Sequence, residues 1–161
     1  MLIDWLTLRL DPEQVPTVWL EFLGGLQDRI TRTTQEGELV WETRARESIR
    51  SDSHQVVMHL GAELEITGSP ARVDQANNVF GAADIRECAA KMIRFAEASL
   101  FRLAVHQIGF CRALAMGQRF LPGGDGGLDL VRWRVTRVDV TANYDMGGPA
   151  EVRQALQFLR H

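Results

Sequence analysis

Leu130 to Asp145 reads L-V-R-W-R-V-T-R-V-D-V-T-A-N-Y-D and is the longest β-like run in the chain. Val131, Trp133 and Val135 fall on one face of an extended strand, with Arg132 and Arg134 on the other. The pattern then inverts. Val138, Val140, Ala142 and Tyr144 become the apolar set, and Arg137, Asp139, Thr141, Asn143 and Asp145 continue the face that Trp133 began. In an unbroken strand, a polar and acidic row would extend an apolar face. A bulge near Thr136 would account for the inversion without any function. The functional alternative is that Asp139 and Asp145 stand together and hold a cation, because carboxylates are the hard oxygen ligands that magnesium and manganese prefer.

Working outward, Met1 to Leu10 alternates Leu2, Asp4, Leu6, Leu8 and Leu10 with Ile3, Trp5, Thr7 and Arg9. Both faces are partly apolar, which suits an inner strand. Asp11 and Pro12 end it, and Asp11 is placed to cap a helix running to Leu23, with Val15, Val18, Trp19 and Phe22 packed and Gly24-Gly25 as its stop. Arg29–Thr34 and Glu38–Thr43 flank Gly37 as a hairpin. Arg44, Arg46 and Arg50 follow, on a solvated loop or strand edge in one reading and as phosphate contacts in the other. Gln55–Leu60 and Ala62–Thr67 are two more strands around Gly61. His54 and His59 are spaced so that one strand face does not carry both; His59 alone is a candidate metal ligand.

Gly68-Ser69-Pro70 breaks the strand, and Asp84 opens a long helical pattern through Met116 with a break or bend at Gly109. Pro122 to Gly127 is a glycine-rich loop without a nucleotide-binding fingerprint. Ala150–Leu159 reads as a last helix. The sum is an α+β protein: an antiparallel sheet with helices packed on one face, in a single domain of 161 residues.

A net charge of −3 argues against a generally basic nucleic-acid binder, so any DNA surface has to be local. Cys88 and Cys111 match no metal spacing and read as small buried side chains in a reducing compartment. No apolar run reaches the roughly 20 residues of a membrane span, and no signal-peptide layout is present.

One block has no periodicity behind it. Glu65 to Gly81 reads E-I-T-G-S-P-A-R-V-D-Q-A-N-N-V-F-G, followed by A-A-D-I, a helix, and later R-V-D-V-T. With the opening M-L-I-D-W-L-T-L-R-L, this order resembles the N-terminal part of the replication initiators of filamentous bacteriophages, over most of the 161 residues. The R-V-D-V-T block is also similar to the R-I-D motif of plasmid rolling-circle initiators.

The resemblance implies rolling-circle DNA replication. A tyrosine attacks a phosphodiester of the origin plus strand, and a phosphotyrosyl link stores the bond for rejoining. Mg²⁺ or Mn²⁺ stabilises the developing charge. Carried over by motif, Asp139 is the first metal ligand, Glu65 the second and Asp145 the third, with Arg137 on phosphate or holding a carboxylate in its charged form. Arg44, Arg46, Arg50, Arg72, Arg132 and Arg134 are the cations available to DNA. The implied partners are phage origin DNA and the host replication helicase or polymerase, in the bacterial cytoplasm.

The chain departs from the family in two ways. Its one tyrosine, Tyr144, would face away from Asp139 in a regular strand, and family members are about twice as long or more, with tyrosines beyond the R-V-D strand. The expectation is therefore the N-terminal half of a longer initiator. Two other readings stand beside it: a non-catalytic origin-binding or regulatory module, and a small α+β protein that binds a host or phage protein.

Overall fold

The computed structural model describes residues 2–44, 47–51, 54–73, 81–116, 121 and 132–142. The glycine-rich loop at 122–127, the helix expected at 150–159, Tyr144 and Asp145 lie outside the described residues.

The first strand, β1 (Leu2–Leu10), leads through a short 3-10 turn, Pro12–Gln14, into α1 (Thr17–Leu26). A separate hairpin follows, β2 (Arg29–Thr33) and β3 (Leu39–Arg44), with Gly37 at φ +87° in its turn. Then come β4 (Glu47–Ser51), β5 (His54–Leu60), β6 (Leu64–Gly68), α2 (Ile85–Ile108), α3 (Phe110–Met116) and β7 (Arg134–Thr141). Five strands form one sheet in the order β4-β5-β6-β1-β7, and each neighbouring pair is antiparallel. The antiparallel α+β architecture expected from the sequence is therefore present.

The period of two assigns the faces. Leu6, Leu8 and Leu10 of β1, Val56, Met58 and Leu60 of β5, and Leu64 and Ile66 of β6 all point into one core. The described helices cover that face. α1 contributes Trp19 and Leu23; α2 contributes Cys88, Ala89, Met92, Ile93, Ala96, Leu100 and Ala104 at helical spacing. Small residues along α2 let it lie close to the strands.

Local differences from the sequence reading have physical causes. Asp11 caps the 3-10 turn, not α1: its Oδ1 accepts from the Glu13 amide at 3.1 Å. Pro16 then sits at the N-cap of α1, and the helix runs through Gly24-Gly25 to Leu26, because packing of Trp19 and Leu23 outweighs the low helix propensity of two glycines. Val18 is exposed; the helix turns only Trp19 and Leu23 fully inward. At α2 the expected cap is present, with Asp84 Oδ1 accepting from the Arg86 and Glu87 amides at 2.6 and 3.2 Å. Gly109, at φ +85°, separates α2 from α3 as the sequence suggested. β7 is an edge strand of the sheet, and β1 is the inner one.

The two cysteines are free, but they differ: Cys88 is buried and Cys111 exposed, which corrects the expectation that both are core side chains. Burial, with the neighbouring Glu87 carboxylate, pushes the Cys88 thiol up to about 11. In the native protein near pH 8, Cys111 is expected to react with a maleimide reagent while Cys88 stays unmodified until the chain is denatured, as mass spectrometry would show.

Candidate nucleic-acid interface on the open sheet face

The face of the sheet turned away from α1 and α2 carries its polar residues. On β1 these are Trp5, Thr7 and Arg9, the alternate positions to Leu6, Leu8 and Leu10. Register sets their neighbours: Thr7 lies opposite Thr67 and Arg9 opposite Glu65 on β6, while Thr7 lies opposite Arg137 and Trp5 opposite Asp139 on β7. On β5, His59 lies opposite Glu65 and Val57 opposite Thr67.

β7 reaches this arrangement through a bulge. Leu8 pairs with Val135 and Thr7 with Arg137, so Thr136 is the extra residue. A second irregularity leaves Asp4 extra on β1, between the Ile3–Val140 and Trp5–Asp139 pairs. The bulge at Thr136 is the cause of the pattern inversion in the sequence. Trp133 stays in the core before it, and Val138 packs against the core after it, so Arg137 and Asp139 turn to the open face. Thr136 and Arg137, consecutive in sequence, line the same depression with Trp5, Thr7, Arg9, Glu65 and Thr67, in a volume of about 520 Å³.

The side chains there form a connected set. Thr7 and Thr67 share a hydroxyl–hydroxyl hydrogen bond of 2.7 Å, and the Trp5 indole Nε1 donates to Thr67 Oγ1 at 2.9 Å. Arg9 donates through Nε to Glu65 Oε2 at 3.1 Å and pairs through its second terminal nitrogen with the same oxygen at 3.0 Å. Arg9 also approaches Glu63 at 3.7 Å, and Arg134 pairs with Glu63 from the other side. Arg137 grips Asp139 with two nitrogens, Nε at 3.0 Å and a terminal nitrogen at 2.5 Å, while its guanidinium carbon lies 5.9 Å from the centre of the Trp5 ring. The fork hydrogen bonds with Arg137 hold the Asp139 carboxyl below the usual carboxylate range, and the same bonds raise Arg137.

The sequence-predicted residues are thus divided. Arg137, Asp139, Glu65 and Arg134 all stand on the open face. Glu65 and Asp139 are not brought together: β1 lies between them and their partners on it are Arg9 and Trp5, which puts them about 17 Å apart at ordinary strand spacing and rise. Among the described residues no group of three or more His, Cys, Asp or Glu side chains converges as a metal site requires. Arg44 ends β3, its guanidinium beside Gly24 of α1; Arg50 lies in the edge strand β4 opposite Gln55; Arg72 is exposed in the 3-10 turn Ala71–Val73; Arg132 is exposed just before β7. Arg46 lies outside the described residues. Trp5, Thr7, Arg9, Glu63 and Thr67 are the site residues that the sequence reading missed. The available signal was the alternation in β1, which sets Trp5, Thr7 and Arg9 against three leucines.

Chemically, the face offers an aromatic ring, hydroxyl groups and guanidinium forks side by side. Those are the groups that stack on a base and hydrogen-bond a phosphate. No described helix is long and apolar enough to cross a membrane.

The chain was compared with known proteins. The family model Phage CRI, described as the N-terminal part of a replication-associated protein, matches residues 2–161. No curated protein matches the chain, and no solved structure does.

The Arg137–Asp139 pair has a pH signature. Because the folded-state carboxyl is depressed, the stability it contributes is present above the pKa of the unfolded aspartate and lost as pH falls through the lower, folded value. Carboxyl NMR titration should place the Asp139 midpoint below that of an ordinary aspartate, and Arg137→Ala should return it toward the ordinary range. An unshifted midpoint in the native protein would show that the pair does not persist in solution.

Proposed function

The chain belongs to the family of phage replication-associated protein N-terminal domains, and from that premise we propose that it engages phage origin DNA on the open sheet face as part of rolling-circle initiation. One observation carries the reading: Trp5, Thr7, Arg9, Thr67, Thr136 and Arg137, drawn from three strands, line a single depression on the face that no described helix covers. A strand of DNA laid across it meets the ring of Trp5 for stacking and the guanidinium groups of Arg9 and Arg137 for its phosphates. R-V-D-V-T, the motif shared with plasmid initiators, supplies Arg137 and Asp139 to the same face.

Site-specific nicking of one strand is the activity we assign to the complete initiator. The attacking tyrosine hydroxyl displaces the 3′-oxygen of the scissile phosphodiester, forming a 5′-phosphotyrosyl bond and freeing a 3′-hydroxyl that primes synthesis. Guanidinium groups beside the phosphate stabilise the charge that builds on its non-bridging oxygens. Mg²⁺ or Mn²⁺ is the proposed cofactor of cleavage. The described residues do not assemble a site for it: Glu65 and Asp139 stand too far apart to share one ion, and each is held by an arginine. The proposed partners are the origin and the host replication helicase, which would unwind the nicked duplex, or the polymerase, which would extend the freed 3′-hydroxyl.

A second reading rests on one fact. The only tyrosine in the chain is Tyr144. If it is not the nucleophile, the 161 residues bind the origin without cutting it and act as a recognition or regulatory module.

Supercoiled DNA carrying the phage origin, incubated with the chain and Mg²⁺ or Mn²⁺, separates the two. Open circles and a covalent protein–DNA product, both lost in Tyr144→Phe, establish nicking by this chain. Origin binding without a covalent product establishes the second reading. Arg137→Ala is expected to weaken origin binding by about 10- to 150-fold, the range for a hydrogen bond to a charged group, because it removes a guanidinium and leaves the Asp139 carboxylate uncompensated on the face. Undiminished binding in that variant would remove DNA from this face.

A further inference from the structure

Three described arginines of the open face, Arg9, Arg134 and Arg137, meet carboxylates of the chain itself. Arg137 is held by Asp139, Arg9 by Glu65 and more loosely by Glu63, and Arg134 by Glu63. The pairs are not sealed in the core. The side chains of Arg134 and Arg137 are 66% and 60% exposed, and that of Arg9 is 43% exposed. Glu63 and Asp139 are also open to solvent, at 26% and 42%. Each guanidinium is therefore within reach of a phosphate, and each is already occupied by a carboxylate oxygen of similar geometry.

We infer that Glu63 and Asp139 are specificity-determining residues: they mask the arginines of the DNA face against phosphates of arbitrary sequence. This rests on the DNA-binding reading above. Non-specific DNA affinity comes almost entirely from neutralising backbone phosphates and releasing their counterions. An arginine that must exchange a carboxylate for a phosphate gains little from that exchange. The phosphate is neutralised, but a carboxylate is left needing a counterion. Backbone contacts alone then bind weakly. A segment that also stacks on Trp5 supplies the surplus that opens the pairs. The residue types fit this arrangement. Of the 18 basic residues in the chain only Lys91 is a lysine, and arginine is the cation whose planar fork matches carboxylate and phosphate alike.

Glu63→Gln and Asp139→Asn keep side-chain shape and remove the masking charge. Binding of the whole chain to a fluorescent DNA of random sequence, single-stranded and duplex, would be measured beside the phage origin sequence over 50–300 mM KCl. Each variant is expected to bind random DNA about 2- to 5-fold more tightly, the range of an exposed ion pair. The slope of log affinity against log salt should steepen by about one per unmasked arginine. Origin affinity should rise less, so the ratio of origin to random binding falls. The gain in Glu63→Gln should vanish in the Glu63→Gln/Arg134→Gln double variant, which a merely structural role of Glu63 would not predict. The inference is overturned if the unaltered chain prefers the origin and both variants, folded by circular dichroism, leave random-DNA affinity and salt slope unchanged or lower them. A chain that binds no DNA at any salt would instead overturn the DNA-binding reading on which the inference rests.

Discussion

β1 has a hydrogen-bonded neighbour on each side, β6 and β7, and the strict alternation of its side chains divides the molecule into two chemistries. Leu6, Leu8 and Leu10 anchor the core under both helices, while Trp5, Thr7 and Arg9 anchor the polar face. A one-residue slip of β1 against β6 would exchange the two sets, burying Arg9 and exposing three leucines that are now fully buried. Burial of a leucine side chain is worth about 1.5–3 kcal/mol, so the slip costs several times that before the desolvated guanidinium is counted. The register that builds the core therefore also fixes which groups face the depression.

β7 depends on the same constraint in a less regular way. Its sequence places apolar residues at odd positions up to Val135 and at even positions from Val138. A straight strand must bury one half and expose the other half of that pattern wrongly. The extra residue at Thr136 removes the conflict and turns both halves to the core side, with Trp133 buried and Val138 packed against the core while Val135 and Val140 stay exposed at the sheet edge. Because two consecutive residues now face the depression, the Thr136 hydroxyl comes within 3.5 Å of the Thr7 carbonyl, and Arg137 comes over Trp5. The bulge is thus explained by packing alone, and its consequence is chemical.

This sets what could be read from the sequence. The strands other than β4, the hairpin at Gly37, the Asp84 cap and the break at Gly109 carry local signals, namely alternation, turn chemistry and helix termini, and these elements stand where the residues implied; β4 falls where the residues read as a loop or strand edge. The order of strands carries no local signal. Without it the longest β-like run, Leu130–Asp145, gave no sign that its strand, β7, is an edge of the sheet. Glu65 and Asp139 looked like partners for the same reason: motifs give residue types, and only the register shows that β1 stands between them. Trp5, Thr7 and Arg9 were visible as an alternating set, yet their importance comes from Thr67, Glu65 and Arg137 across the strands, pairings separated by about 60 and 130 residues.

Net charge misleads here for a related physical reason. A chain at −3 with pI near 5.8 gives no hint of a DNA partner, because composition sums charges that the fold arranges in pairs. On the open face, three arginines sit with three carboxylates in an area a few strands wide. At distances beyond a Debye length of about 8 Å such a surface is nearly neutral, so it does not draw DNA from afar. At contact the balance changes. A phosphate brought within hydrogen-bond reach competes oxygen for oxygen with a carboxylate, and the outcome depends on what else the DNA touches. On the proposed reading, a face of this kind is poor at collecting DNA and good at discriminating among sites once contact is made, which is what binding one site among many competing sequences requires.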